Sequence, residues 1–244
     1  MGRRVLNVGI TAGDPAGIGP EVALKAINAL SSESIIPVLI GRRSVLEKNH
    51  PDLFAGYEII DTQSRPVSGM KYLYDVPLDL PVPAPGAGSA DTGREARVCI
   101  DAAIGLWKSG VIGAIVTGPV SKGLIEKSGV PFTGHTEYIA TRTGGSPLMM
   151  MFSEKYRVLL VTTHVPVSEI IRHVDCERIL DVIRAGHEAM RKIDGGSVRL
   201  AITGRDPHCG DDGAIGGFDR EVTARAVEDA RAAGIPIEGP FAAD

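Results

Sequence analysis

Val5-Leu6-Asn7-Val8-Gly9-Ile10-Thr11-Ala12-Gly13-Asp14-Pro15-Ala16-Gly17-Ile18-Gly19-Pro20-Glu21 runs from an apolar stretch through a glycine-rich turn into a helix start. The apolar run predicts a buried strand. Pro20 suits the first turn of a helix, where a missing N–H costs nothing, so a helix is expected from Pro20 to about Leu30. A strand, a tight turn and a helix in immediate succession are the repeating unit of an α/β protein.

The pattern continues outward from that unit. Ile35 to Ile40, Tyr57 to Ile60 and Ala114 to Val116 read as strands, Thr92 to Lys108 as a long helix, and the proline- and glycine-rich stretch Asp79 to Gly88 as a crossing loop. Leu148 to Phe152 and Arg157 to Thr162 are apolar runs joined by Ser153-Glu154-Lys155-Tyr156, which predicts a hairpin and hence a mixed sheet. Helices at Cys176 to Lys192 and Phe218 to Ala233 bracket a strand at Val198 to Ile202, and Ile235 to Glu238 reads as a last short strand. The expected architecture is α/β with helices on both faces of the sheet. Two subdomains around a cleft are expected, an N-terminal α/β subdomain over 1–130 and a second over 131–244.

Composition excludes several classes. The 244 residues are 43% hydrophobic and 23% charged, enough for a large core. With 26 basic and 30 acidic residues the net charge is −4, without the basic excess of a nucleic-acid binder. No apolar run approaches the ~20 residues of a membrane span, and Met1-Gly2-Arg3-Arg4 leads into a strand rather than a signal-peptide core, so a cytoplasmic protein is expected. Cys99, Cys176 and Cys209 are too scattered for a disulfide framework or a paired-cysteine metal site, and Cys99 and Cys176 read as packing residues.

Five segments carry chemistry. Gly13, Gly17 and Gly19 fit neither the dinucleotide fingerprint nor the phosphate loop, and Asp14 and Glu21 add negative charge, so this turn is either purely structural or a place for hydroxyl or cofactor contacts. Thr117-Gly118-Pro119-Val120-Ser121-Lys122-Gly123 follows a strand, at the end where open α/β sheets bind ligands. Lys122 there is either a solvated lysine or a cation that holds an anion or assists proton transfer. Pro131-Phe132-Thr133-Gly134-His135-Thr136-Glu137 opens a helix, and imidazole, hydroxyl and free backbone amides at a helix start together suit a phosphate. His164 and His208 each lie just past a strand, as unrelated loop histidines or as converging ligands of one metal.

Gly13-Asp14-Pro15-Ala16-Gly17-Ile18-Gly19-Pro20-Glu21, Thr117-Gly118-Pro119-Val120-Ser121-Lys122, Phe132-Thr133-Gly134-His135-Thr136-Glu137, Thr162-Thr163-His164 and Asp206-Pro207-His208-Cys209-Gly210 together resemble the 4-hydroxythreonine-4-phosphate dehydrogenase family of pyridoxal phosphate biosynthesis. The resemblance runs from about Val5 to Asp244. It implies an isocitrate/isopropylmalate-dehydrogenase-like fold, a homodimer, and NAD-dependent oxidation of 4-phosphooxy-L-threonine, with decarboxylation, assisted by a divalent metal such as zinc, magnesium or cobalt. By motif it implies His164 and His208 as two of three metal ligands and His135 and Thr136 as substrate contacts. Asp244 would reach the neighbouring subunit's substrate site, and Lys122 would be the catalytic residue. No residue is assigned to the cofactor.

Two departures from the family pattern stand out, Arg205-Asp206 where Leu-Asn is usual before Pro207-His208, and Asp211-Asp212 where a glutamate is usual. Dehydrogenases of D-threonate or D-erythronate 4-phosphate in sugar-acid catabolism share these motifs, and a dihydrodiol dehydrogenase of aromatic-acid catabolism is a more distant alternative. The chain ends at Gly239-Pro240-Phe241-Ala242-Ala243-Asp244, ahead of the family segment that supplies the third histidine. An inactive dimerising fragment is therefore the expectation from a different class.

Overall fold

The structure, a computed structural model, describes residues 5–244. Its chain divides into two compact units, residues 1–146 and 147–244. The expected boundary near residue 130 lies earlier than the observed one. The reason is packing: Phe132 and Tyr138 are buried with Ile100, Ile104 and Ile125, so the segment after residue 130 belongs to the first unit's core.

In the first unit the elements run β1 (Leu6–Thr11), α1 (Gly19–Ala29), β2 (Ile35–Gly41), α2 (Arg43–Asn49), α3 (Pro51–Phe54), β3 (Tyr57–Ile60) and β4 (Lys71–Asp75). They continue with α4 (Ala90–Lys108), β5 (Ala114–Val116), α5 (Lys122–Lys127) and α6 (His135–Thr143). The five strands form one sheet in the order β3-β4-β2-β1-β5, with every pair parallel. Side chains alternate across a strand. Val38, Ile40 and Tyr72 therefore pack on one face against Cys99, Ala103 and Leu106 of α4, and Leu39 and Leu73 on the other against Ala23, Leu24 and Ile27 of α1 and Phe54 of α3. The helix start of α4 is fixed by a capping box, in which Ser89 Oγ accepts from Thr92 N and Thr92 Oγ1 accepts from Ser89 N. Sequence periodicity missed α2, α3 and β4. The last, Lys-Tyr-Leu-Tyr-Asp, is flanked by charge and owes its burial to its neighbours β2 and β3.

The second unit contains β6 (Met150–Phe152), β7 (Arg157–Leu159), α7 (Ile170–His173), α8 (Cys176–Asp194), β8 (Leu200–Thr203), a π-helical turn over Asp219–Thr223, α9 (Ala224–Ala232) and β9 (Ile237–Phe241). β6 and β7 form the expected antiparallel hairpin, but as a two-stranded sheet of their own, and β8 pairs with β9 in parallel. The mixture of strand directions is thus divided between sheets. α8 is capped by Asp175, whose Oδ1 accepts from Arg178 N at 2.7 Å, and ends at Gly195 in the left-handed conformation, φ 68. Its apolar face, Ile179 and Ile183, packs with Ala226, Val227 and Ala230 of α9. Among the described residues no helix is long and apolar enough to cross a membrane.

Candidate functional site

The glycine-rich turn after β1 is occupied by packing. A β-carbon on Gly13, whose φ is +77, would stand 2.4 Å from Pro119 O, and one on Gly118 2.4 Å from Thr11 O. Only hydrogen fits at either place. Asp14 N donates to Pro119 O at 2.9 Å, Gly118 N to the buried Thr11 Oγ1 at 2.9 Å, and the Asp14 carboxylate folds back to accept from Ala16 N at 3.0 Å. Of the two readings the sequence left open, the local geometry matches the structural one.

At the start of α6 the structure brings together Lys122 and His135. A β-carbon on Gly134 would lie 2.9 Å from Glu137 Oε2 and 3.6 Å from Lys122 Nζ, so the ammonium group stands at the helix N-terminus beside a carboxylate of the helix's own first turn. His135 is half-buried, its ring edge-on to Phe132 at 5.5 Å between centroids, and Phe132 is anchored in the core with Tyr138. Burial first, and the Lys122 charge second, hold the imidazole below its usual pKa, so the ring is neutral at pH 7. Its Nε2 is buried and makes no hydrogen bond. Thr136, the next residue of the helix, is exposed. Lys122 itself is exposed at the first position of α5.

In the second unit His164 follows β7 and His208 follows β8, both exposed and both at positive φ, 57 and 52. His208 opens a run of five left-handed residues, His208, Cys209, Gly210, Asp211 and Asp212. L-residues avoid such runs at roughly 1–2 kcal/mol each, so the surrounding structure must impose this one. Asp219, fully buried, fixes the backbone just ahead of the run: its Oδ1 accepts from Arg205 N at 2.9 Å and from Thr223 Oγ1 at 2.7 Å, and its Oδ2 from Asp206 N at 2.8 Å. Sequence reasoning missed Asp219. The available signal was an acid four residues before Thr223 at a helix start.

His208 Nδ1 lies 2.6 Å from Asp244 Oδ2. Where the resemblance implied that Asp244 reaches a neighbouring subunit, the structure pairs it with a histidine of its own chain. A carboxylate on Nδ1 leaves Nε2 as the outward nitrogen, the arrangement common in metal-binding histidines. The donor set nevertheless stops short of a metal centre, since among the described residues no three His, Cys, Asp or Glu side chains gather. A closed site needs at least three protein ligands, so these residues alone do not fit a bound metal.

Comparison with known proteins gives one consistent result. Residues 33–244 match the family model of the pyridoxal phosphate biosynthetic protein PdxA. The chain is 38% identical over 239 residues to the 4-hydroxythreonine-4-phosphate dehydrogenase of Chromobacterium violaceum, covering 96% of this chain and 72% of that one. It superimposes on the 4-hydroxythreonine-4-phosphate dehydrogenase of Klebsiella pneumoniae with a TM-score of 0.86 and 31% identity, over 97% of this chain and 75% of the other. A terephthalate 1,2-cis-dihydrodiol dehydrogenase from Burkholderia xenovorans, at 23% identity and a TM-score of 0.75 over 99% of this chain and 75% of that one, shares the fold. The chain belongs to the PdxA family of pyridoxal phosphate biosynthetic proteins, a family of dehydrogenases.

Proposed function

We propose that the chain binds 4-phosphooxy-L-threonine through its phosphate at the start of α6 and serves its NAD-dependent oxidation in pyridoxal phosphate biosynthesis. The observation that carries this reading is the buried, unpartnered Nε2 of His135 beside the Lys122 ammonium and the free amides of a helix N-terminus. Neutral imidazole donates from one nitrogen, lysine supplies the charge and Thr136 a hydroxyl. Together they hold one end of the substrate, which orients the carbon that carries the hydroxyl to be oxidised. Family membership supplies the rest of the support.

NAD, when bound, accepts the hydride. The turn around Gly13 is spent on packing and offers it no cradle. Divalent-metal assistance fits His164 and His208 as single donors but, among the described residues, not as a complete set. Lys122 acts here as an anion-binding group, a reading supported by its ammonium, carried on α5, lying near the start of α6. Homodimer formation, which rests on the family resemblance, and a cytoplasmic location complete the proposal.

Calorimetric titration tests the reading. The purified chain should bind 4-phosphooxy-L-threonine more tightly than unphosphorylated 4-hydroxythreonine by at least about tenfold, roughly the worth of one charge-assisted hydrogen bond. His135→Ala should remove that preference. Equal affinity for the two compounds in the wild-type chain would sink the phosphate assignment.

A further inference from the structure

α4 packs against both helices that carry the anion-binding groups. Gly93, Arg97 and Asp101 stand four residues apart on it and so share one face. At Gly93 that face has no room for a β-carbon, which would collide with the backbone of Leu124, so α5 lies directly on α4 and the position of its first residue, Lys122, follows from that contact. Two turns further on, Asp101 holds α6. Its Oδ1 accepts from the Tyr138 hydroxyl at 2.7 Å and pairs with Arg142 Nε at 3.1 Å, and its Oδ2 pairs with Arg97 Nη1 at 2.5 Å. Arg97, one turn back on α4, fixes the carboxylate itself. The two donors from α6, one turn apart, then fix the rotation of α6 about its own axis, which a single ion pair between the helices would leave free.

The contacts continue to the imidazole. Tyr138, only 5% exposed, has the Arg142 guanidinium 3.5 Å over its ring and the Phe132 ring 5.2 Å away, and Phe132 meets the His135 ring edge-on. Tyr138 is one turn from His135 on the same helix, so a change in the rotation of α6 moves both rings. That rotation matters because His135 Nε2 is buried without a partner. It can serve a ligand only along the direction in which the ring points, and a hydrogen bond weakens steeply once it is bent.

We propose that Asp101 is a positioning residue for the site at the start of α6. Through Tyr138 and Phe132 it sets the direction of the His135 imidazole relative to Lys122, and with it the preference for a phosphorylated ligand. The effect on ligand choice rests on the phosphate reading above; the effect on the imidazole does not.

The purified chain, its Asp101→Asn and Tyr138→Phe variants and the double variant test the assignment. Asp101 is one third exposed and asparagine keeps its shape, while phenylalanine keeps the Tyr138 ring, so all three variants should fold; melting curves check this. Calorimetry with 4-phosphooxy-L-threonine and with 4-hydroxythreonine gives each protein's preference for the phosphorylated compound, and proton NMR gives the contacts between the His135 and Phe132 rings. Charge and positioning predict opposite signs for Asp101→Asn. Removing a negative charge and releasing two guanidinium groups would by charge alone strengthen phosphate binding, whereas loss of positioning weakens it. The preference should fall from about tenfold to about twofold, as when a charge-assisted hydrogen bond loses its geometry, and the His135–Phe132 contacts should weaken. Tyr138→Phe should do the same in smaller measure, and the double variant should be no worse than Asp101→Asn, because both changes act along one path. An unchanged or raised preference in Asp101→Asn overturns the assignment. A wild-type chain without any preference sinks the phosphate reading and takes the ligand preference with it, while the His135 resonances still decide the positioning: signals moved in Asp101→Asn keep it, and unmoved signals overturn it.

Discussion

Replacing Asp219 with alanine should unseat His208 without touching it. The carboxylate takes three hydrogen bonds in a fully buried position, two of them from the backbone amides of Arg205 and Asp206. Alanine leaves both amides and the Thr223 hydroxyl without an acceptor. Each buried group so orphaned costs about 1–3 kcal/mol, and partial access of water at Arg205 and Asp206 reduces the total to about 3–5 kcal/mol, within the range of broken buried networks. That is a large share of an ordinary stability of about 5–15 kcal/mol. It also releases the backbone of Arg205 and Asp206, just ahead of the left-handed run that His208 opens. Asp219→Asn keeps one acceptor oxygen and turns an N–H₂ toward an amide, so it should cost less than alanine but still more than a surface change.

The assay is urea unfolding followed in two ways. Trp107, the single tryptophan, lies in α4 and reports the first unit, whereas far-UV circular dichroism reports both. Asp219→Ala should lower the dichroism midpoint and leave the tryptophan transition in place, and the His208 imidazole resonances should move. A loss below about 1 kcal/mol, the level of an ordinary surface substitution, or unmoved His208 resonances, would refute the argument that Asp219 organises this loop.

The first unit offers two more tests. Gly13→Ala should destabilise it by more than about 2 kcal/mol, because the added methyl meets Pro119 O at 2.4 Å and the residue's φ of +77 disfavours any side chain; retention of the wild-type tryptophan midpoint would contradict the packing role given to the turn. His135 has a depressed pKa in the folded chain, so the unfolded chain takes up its proton first as pH falls. Stability from this group is therefore complete above the unfolded value of about 6.5 and declines below it. His135→Gln should flatten that part of the pH profile, and an identical slope in the variant would show that the imidazole is not the group responsible.

Much of this protein was written in local pattern. The strand at Leu6, the long helix into Lys108, the hairpin around Ser153 to Tyr156 and the helix start at His135 were legible because burial on one face imposes a period that short stretches of chain display directly. Five short motifs carried the family resemblance, and the match over residues 33–244 bears it out. Tertiary structure decided the rest. β4 became a strand because β2 and β3 flank it, and the unit boundary moved past residue 130 because Phe132 found a pocket made by α4 and α5. Whether the glycines around Gly13 served a ligand or a neighbour depended on Pro119, more than a hundred residues away. The backbone of Arg205 and Asp206, just ahead of His208, is held by Asp219. In each case the deciding partner is distant in the chain, and its contact exists only after the backbone has closed long loops, so no local period records it.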